Sequence, residues 1–196
     1  MADIVIIVDE SGSVGAENFE KQREFIKELV ERFDVGESEV RIGVVQFSSI
    51  VNNQFYLSSS KTKEDVIEYV NSMPYKEGGT QTHKVLSYTY KTMLSERKGA
   101  RKGVPNIVIT LTDGRSTKKQ KTIEQAEELK KHAKSFVIGI GSNLDDDEVN
   151  AIASGSDYRY DVTDFDVLKG IEDKLLSDMT CQGMGKRNRI IVIGLH

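Results

Sequence analysis

The sequence predicts a doubly wound α/β fold: a mostly parallel sheet of about six strands, one of them an antiparallel edge strand, with helices on both faces. Three observations lead there. Ile4-Val5-Ile6-Ile7-Val8 is a β-branched run with no polar interruption, the mark of a strand buried on both faces. Strand patterns then alternate with helical ones along the chain, as βα units require. The link Ser48-Ser49-Ile50 is too short for a parallel crossover, so the strands around it must form an antiparallel hairpin. At 196 residues the chain suits a single domain with a full core.

After the first strand, Phe19, Ile26, Leu29, Val30 and Phe33 recur at helical spacing among Glu and Lys, predicting a helix over about 16–33. Gly36 is placed to close it as the residue just past the end. Val40 to Phe47 reads as the second strand and Val51 to Leu57 as the third, whose Asn52, Asn53 and Gln54 suit a sheet edge. Thr62 with Asp65 resembles a capped helix start, with Val66, Ile67, Val70 and Met73 facing in and Pro74 as the stop. Gly78-Gly79, within the loop Tyr75 to Thr82, marks tight or strained backbone. Val85, Leu86, Tyr88, Thr89 and Met93 predict another helix, and Arg97 to Gly103 a basic loop. Asn106 to Thr112 is a second core strand, ending in Asp113-Gly114. Helix, strand and helix follow over about 120–133, 135–141 and 145–154, then a short strand, Arg159 to Val162. Asp164 caps a final helix whose Val167, Leu168, Ile171, Leu175 and Leu176 face inward. Residues 1–180 are read as the domain and 181–196 as a C-terminal extension or linker.

Composition narrows the class. With 38% hydrophobic and 30% charged residues, the chain has the make-up of a globular protein rather than a disordered one. A net charge of −4 argues against a dedicated nucleic-acid binder. No apolar stretch approaches the roughly 20 residues of a membrane helix. Met1-Ala2-Asp3 shows no signal-peptide pattern, and a strand starts almost at once, so a domain cut from a larger chain is expected. Cys181 is the single cysteine, so it is either a reduced buried thiol or one whose partner lies outside this stretch. His83, His132 and His196 are scattered and lack zinc-ligand spacing.

Candidate chemistry gathers at strand ends. Asp9, Ser11 and Ser13 follow the first strand at alternate positions, with Gly12 between the hydroxyls. A helix N-cap explains such residues locally. Their place at the carboxyl end of a parallel strand, where open α/β sheets put ligands, allows a second reading. Right-handed crossovers set the first long strand beside the fourth, and the order reverses between them. Asp113 then faces the Asp9 loop across that crevice, and Thr80 reaches it from the glycine loop. Five oxygen donors converge: Asp9, Ser11, Ser13, Thr80 and Asp113. Hard oxygens suit Mg²⁺, with Mn²⁺ or Ca²⁺ as substitutes.

Asp-x-Ser-x-Ser, Gly-Gly-Thr-x-Thr and Thr-Asp-Gly, in this order over residues 3 to about 179, resemble the von Willebrand factor type A domain, also found as the inserted domain of integrins. The resemblance implies a metal-ion-dependent adhesion site made of Asp9, Ser11, Ser13, Thr80 and Asp113. It implies an extracellular module that binds an acidic group of a protein partner through Mg²⁺. It further implies a final helix able to shift along the sheet. Glu10 stands where many members have a small residue and adds a carboxylate near the site. His83-Lys84 stand where many have a glycine.

Binding is favoured over catalysis. Neutral hydroxyls leave a cation much of its charge and an exchangeable position for a partner carboxylate, whereas hydrolysis also needs a positioned base. His83, the one histidine near the site, is read as a solvated residue. Gly139-Ile140-Gly141 is read as a tight turn, and Asp145-Asp146-Asp147-Glu148 as the first turn of a helix rather than a calcium loop. Arg115, Lys118, Lys119 and Lys121 form a basic cluster that is either a solvated face or an attractor of an acidic protein or sulfated glycan. The competing functional class is an intracellular type A domain serving as an assembly module of a larger complex.

Overall fold

A computed structural model describes residues 1–113, 115–166, 168 and 172–183. Its strands are β1 (Ala2–Asp9), β2 (Val40–Phe47), β3 (Val51–Phe55), β4 (Asn106–Thr112), β5 (Lys134–Ile140) and β6 (Arg159–Val162). They form one sheet in the order β3-β2-β1-β4-β5-β6. All neighbours are parallel except β2 and β3, whose antiparallel ladder carries a register shift at Val45/Gln46. The hairpin reading of Ser48-Ser49-Ile50 and the edge position of the polar third strand both hold.

The helices are α1 (Gly15–Glu31), α2 (Lys63–Ser72), α3 (Thr82–Tyr88), α4 (Lys119–Lys130), α5 (Asp146–Ile152) and α6 (Glu172–Gly183). Period-2 alternation along β1 decides which helices cover which face. Ile4, Ile6 and Val8 pack with Phe25 and Leu29 of α1, Val66 and Val70 of α2, and Leu175 and Leu176 of α6. Val5 and Ile7 belong to the other core, with Val85 and Leu86 of α3, Leu129 of α4, and Val149 and Ile152 of α5. Each fully buried Leu, Ile or Phe contributes about 1.5–3 kcal/mol. Truncating one such as Phe25 to Ala costs about 3–5 kcal/mol.

Local chemistry sets the helix ends. Thr62 and Asp65 form a reciprocal capping box on α2. Asp145 caps α5 by accepting from the amides of Asp147 and Glu148, so the acidic run is a helix start. Gly36 does not take the left-handed role given to it. α1 ends at Arg32 in right-handed conformation, and the Gly36 amide instead donates to the Val40 carbonyl at 3.0 Å. The helix after Thr82 changes to a π-helical turn over Thr89–Met93. Asp164 accepts from the Asp166 amide at 2.9 Å, and the described part of α6 starts at Glu172. Val167 and Ile171 of the expected inward stripe lie outside the described residues, as do 184–196 of the expected extension.

Candidate metal centre

β1 lies between β2 and β4, so the connections leaving β1 and β4 diverge and open a crevice at their carboxyl ends. Asp9 is the last residue of β1. Its Oδ1 accepts from the Ser11 amide and its Oδ2 from the Thr112 hydroxyl, each at 2.9 Å. Gln22 of α1 donates to the Asp9 carbonyl at 3.1 Å and anchors the loop from below. The hydroxyls of Ser11 and Ser13 stand 3.2 Å apart, and Ser13 donates to Asp113 Oδ1 at 3.2 Å. One continuous chain of contacts therefore links Asp9, Ser11, Ser13 and Asp113.

The glycine loop joins through its backbone. The Gly12 amide donates to the Gly78 carbonyl at 2.9 Å, and the Thr117 amide to the Thr80 carbonyl at 2.7 Å. Glu77 (φ 52°) and Gly78 (φ 138°) both take left-handed backbone, which is the strain read from the paired glycines. A Cβ at Gly78 would stand 3.0 Å from the Ser48 and Ser49 hydroxyl oxygens. Thr80 is buried, and its hydroxyl forms no hydrogen bond to the other four candidate donors among the described residues. Its backbone carbonyl ties it to the segment that follows β4.

Burial pushes the Asp9 carboxyl up to about 6, against the pull of the Ser11 and Thr112 hydrogen bonds, and the nearby Asp113 charge adds to the rise. Burial raises Asp113 as well. Among the described residues, hydrogen bonds to the Asp9 carboxyl come from neutral donors. Two acids raised by burial, with no cationic side chain paired to either among the described residues and with hydroxyl oxygens beside them, are a donor set that a hard divalent cation fits. Among the described residues no three His, Cys, Asp or Glu side chains gather to hold a metal, so such a centre depends on its hydroxyls. Beyond Ser13 and Asp113 a cleft of about 690 Å³ runs over the ends of β5 and β6, past Arg115, Asn143 and Asp164.

Glu10 does not add a carboxylate to this centre. Successive side chains leave opposite faces of an extended chain, so Glu10 turns toward the hairpin. There it accepts from Gln46 at 2.8 Å, from Ser48 at 3.4 Å and from Asn52. Gln46 also donates to the Pro74 carbonyl at 2.9 Å, so this buried acid steadies both the hairpin and the start of the glycine loop. His83 lies in a groove between α3 and α4. Two further residues matter. Thr112 binds Asp9, and its place at the end of β4 beside β1 was the available signal. Glu148 of α5 is buried and accepts from the Ser116 amide at 2.8 Å and from the Ser116 hydroxyl. It thereby holds the segment that carries Thr117 to Thr80, and no spacing in the sequence announces a contact across 32 residues.

These features define an α/β domain with a carboxylate–hydroxyl centre at the switch point of its sheet. The chain belongs to the von Willebrand factor type A domain family, whose pattern it matches over residues 3–174. It is 38% identical over 177 residues to matrilin-1 of Gallus gallus, covering 88% of this chain and 35% of that protein. It is 34% identical over 180 residues to the collagen alpha-4(VI) chain of Mus musculus, covering 89% of this chain and 8% of that one. The structure of proximal thread matrix protein 1 from the mussel byssus superposes with a TM-score of 0.83 at 31% identity, covering 89% of this chain and 46% of that one. A related structure of that mussel protein has a zinc-occupied metal-ion-dependent adhesion site motif. The chain thus spans about a third of matrilin-1 and under a tenth of the collagen chain.

Proposed function

We propose that this domain is an extracellular adhesion module that binds a carboxylate of a matrix protein through Mg²⁺ held by Asp9, Ser11, Ser13, Thr80 and Asp113. The observation that carries the reading is the pair of acids, Asp9 and Asp113, raised by burial and bonded by neutral groups. A divalent cation would supply the charge these acids lack and a Lewis-acidic position for a partner oxygen. The chain's own part is positional. Asp9 and Asp113 anchor from two strands, Ser11 and Ser13 supply neutral oxygens, and Thr80 closes the third side. Arg115, on the cleft rim, adds positive charge where an acidic partner would approach. Neutral hydroxyls and oxygen-only donors favour Mg²⁺ or Mn²⁺ over zinc, which prefers nitrogen and sulfur.

Calorimetry with Mg²⁺, Mn²⁺, Ca²⁺ and Zn²⁺ tests the assignment. Mg²⁺ or Mn²⁺ should bind the wild type, and Asp113→Ala should lose most of that affinity while keeping its far-ultraviolet circular dichroism. Retention on an extracellular-matrix preparation should require Mg²⁺ and vanish in EDTA. Unchanged metal affinity in Asp113→Ala would falsify the donor set, and full retention in EDTA would move recognition to another surface.

A further inference from the structure

The basic cluster that follows Asp113 in sequence is divided by the fold. Lys119 sits between Asp145 and Asp147, with Nζ–oxygen distances of 2.8 Å to each. Arg115 lines the cleft beside the metal centre and donates to the Asn143 carbonyl at 3.2 Å. Lys121 lines a different space, a groove of about 600 Å³ between α3 and α4. His83, Lys84 and Lys91 line it too, and Glu124 is the one acid in the lining.

The groove lysines lack the close ion pairs that other helical lysines make. Elsewhere the helical lysines Lys27, Lys130 and Lys131 each pair with a glutamate three residues earlier. Among the described residues Lys84, Lys91, Lys118 and Lys121 form no ion pair. Lys84 reaches the Ser49 carbonyl, and Lys91 stands over the Tyr90 ring and acts on Glu128 only at longer range. In a chain of net charge −4, the groove therefore brings together three lysines, Lys84, Lys91 and Lys121, that form no ion pair among the described residues. His83 registers that field. Burial lowers its pKa first, and Lys121, Lys84 and Lys118 lower it further. Its Nδ1 is shut off from solvent and has no hydrogen-bond partner among the described residues. The π-helical turn at Thr89–Met93 carries Lys91 and Thr92 on the groove wall, and such turns recur at functional sites.

The lining offers point charges beside neutral polar groups. It holds lysines and a histidine but no arginine. Bidentate recognition of peptide carboxylates favours the guanidinium fork, whereas lysine acts as a point charge. Ser87, Thr92 and Gln125 add the hydroxyl and amide groups that hydrogen-bond sugars. Tyr88, the aromatic ring in the lining, has its hydroxyl bonded to that of Tyr56 at 3.0 Å, which leaves no row of stacking platforms for nucleic-acid bases.

We propose that the α3–α4 groove is a second ligand site, taking a sulfated polysaccharide chain independently of the metal centre. The probe is a size-defined heparin fragment titrated in EDTA, with chemically desulfated heparin and poly-glutamate as comparison ligands. Lys91→Glu/Lys121→Glu should weaken heparin binding by about tenfold or more and lower its salt-dependence slope by about 2, one per lost cation contact. Lys61→Glu/Lys134→Glu makes the same change in net charge on other surfaces and should alter affinity by less than about twofold. Asp113→Ala should bind heparin as the wild type does, whatever happens to its metal affinity. Equal losses in the two double variants would overturn the site, as would poly-glutamate or desulfated heparin binding as tightly as heparin. Loss of heparin binding in Asp113→Ala would overturn its independence from the metal centre.

Discussion

Asp3 and Asp9 stand at opposite ends of β1, both fully buried, and the fold treats them in opposite ways. Asp3 receives the Arg101 guanidinium, with Nη2 at 2.7 Å and Nε at 2.9 Å, and the Arg101 amide at 2.7 Å. The same arginine donates to the carbonyls of Ala2, Glu37 and Glu39, so it also closes the loops below the sheet. Asp9 receives an amide and a hydroxyl and has another acid for a neighbour. One end of the strand carries its counter-charge in Arg101; the other has none among the described residues, and on the proposal above a cation would supply it. A buried acid paired with an arginine is costly to unpair, whereas one without a cationic partner fits the proposed cation site.

The largest expected effect lies at the completed end. Arg101→Met should cost about 3–5 kcal/mol in urea unfolding, because it strands the buried Asp3 charge. Metal affinity should stay at the wild-type value. A matching loss of metal affinity would show that the two ends are coupled and would undo the contrast.

Next comes the incomplete end. With its native carboxyl raised to about 6, Asp9 holds a proton more tightly in the folded state than in the unfolded one. Its contribution is therefore fully present below the unfolded pKa and is lost as pH rises through about 6. That loss is on the order of 3 kcal/mol in metal-free protein. Asp9→Asn should remove this part of the decline while abolishing metal binding, and Mg²⁺ should reduce the decline in the wild type. Unfolding midpoints from pH 4 to 7 in EDTA provide the check; parallel profiles for mutant and wild type would show that burial of Asp9 carries no such cost.

The smallest effect concerns the framework. Glu148→Gln weakens the hold on Ser116 and so on the segment that reaches Thr80. Metal affinity should fall about tenfold, as for outer groups that orient ligands. Calorimetry beside an unfolding curve separates a positioning role from a stability loss, and an unchanged dissociation constant would place Glu148 outside the centre.

The sequence by itself determined the strands, the edge hairpin, the α2 capping box, the α5 start and the family motifs. Each rests on residues close in the chain: β-branched runs, a Thr-x-x-Asp cap, a three-residue link. Periodicity and turn chemistry report such short-range preferences directly. Tertiary structure alone decided where the polar and charged groups went. Glu10 follows Asp9 by one residue, yet strand alternation sends it to Gln46 and Asn52 of the hairpin. Arg101 reads as part of a basic loop and becomes the partner of Asp3. Lys119 and Lys121 are neighbours in sequence, but one meets Asp145 and the other the α3–α4 groove. The reason is physical. Backbone preference is set by a residue and its near neighbours, whereas the partner of a charge is whatever packing brings within a few ångströms, from any distance along the chain.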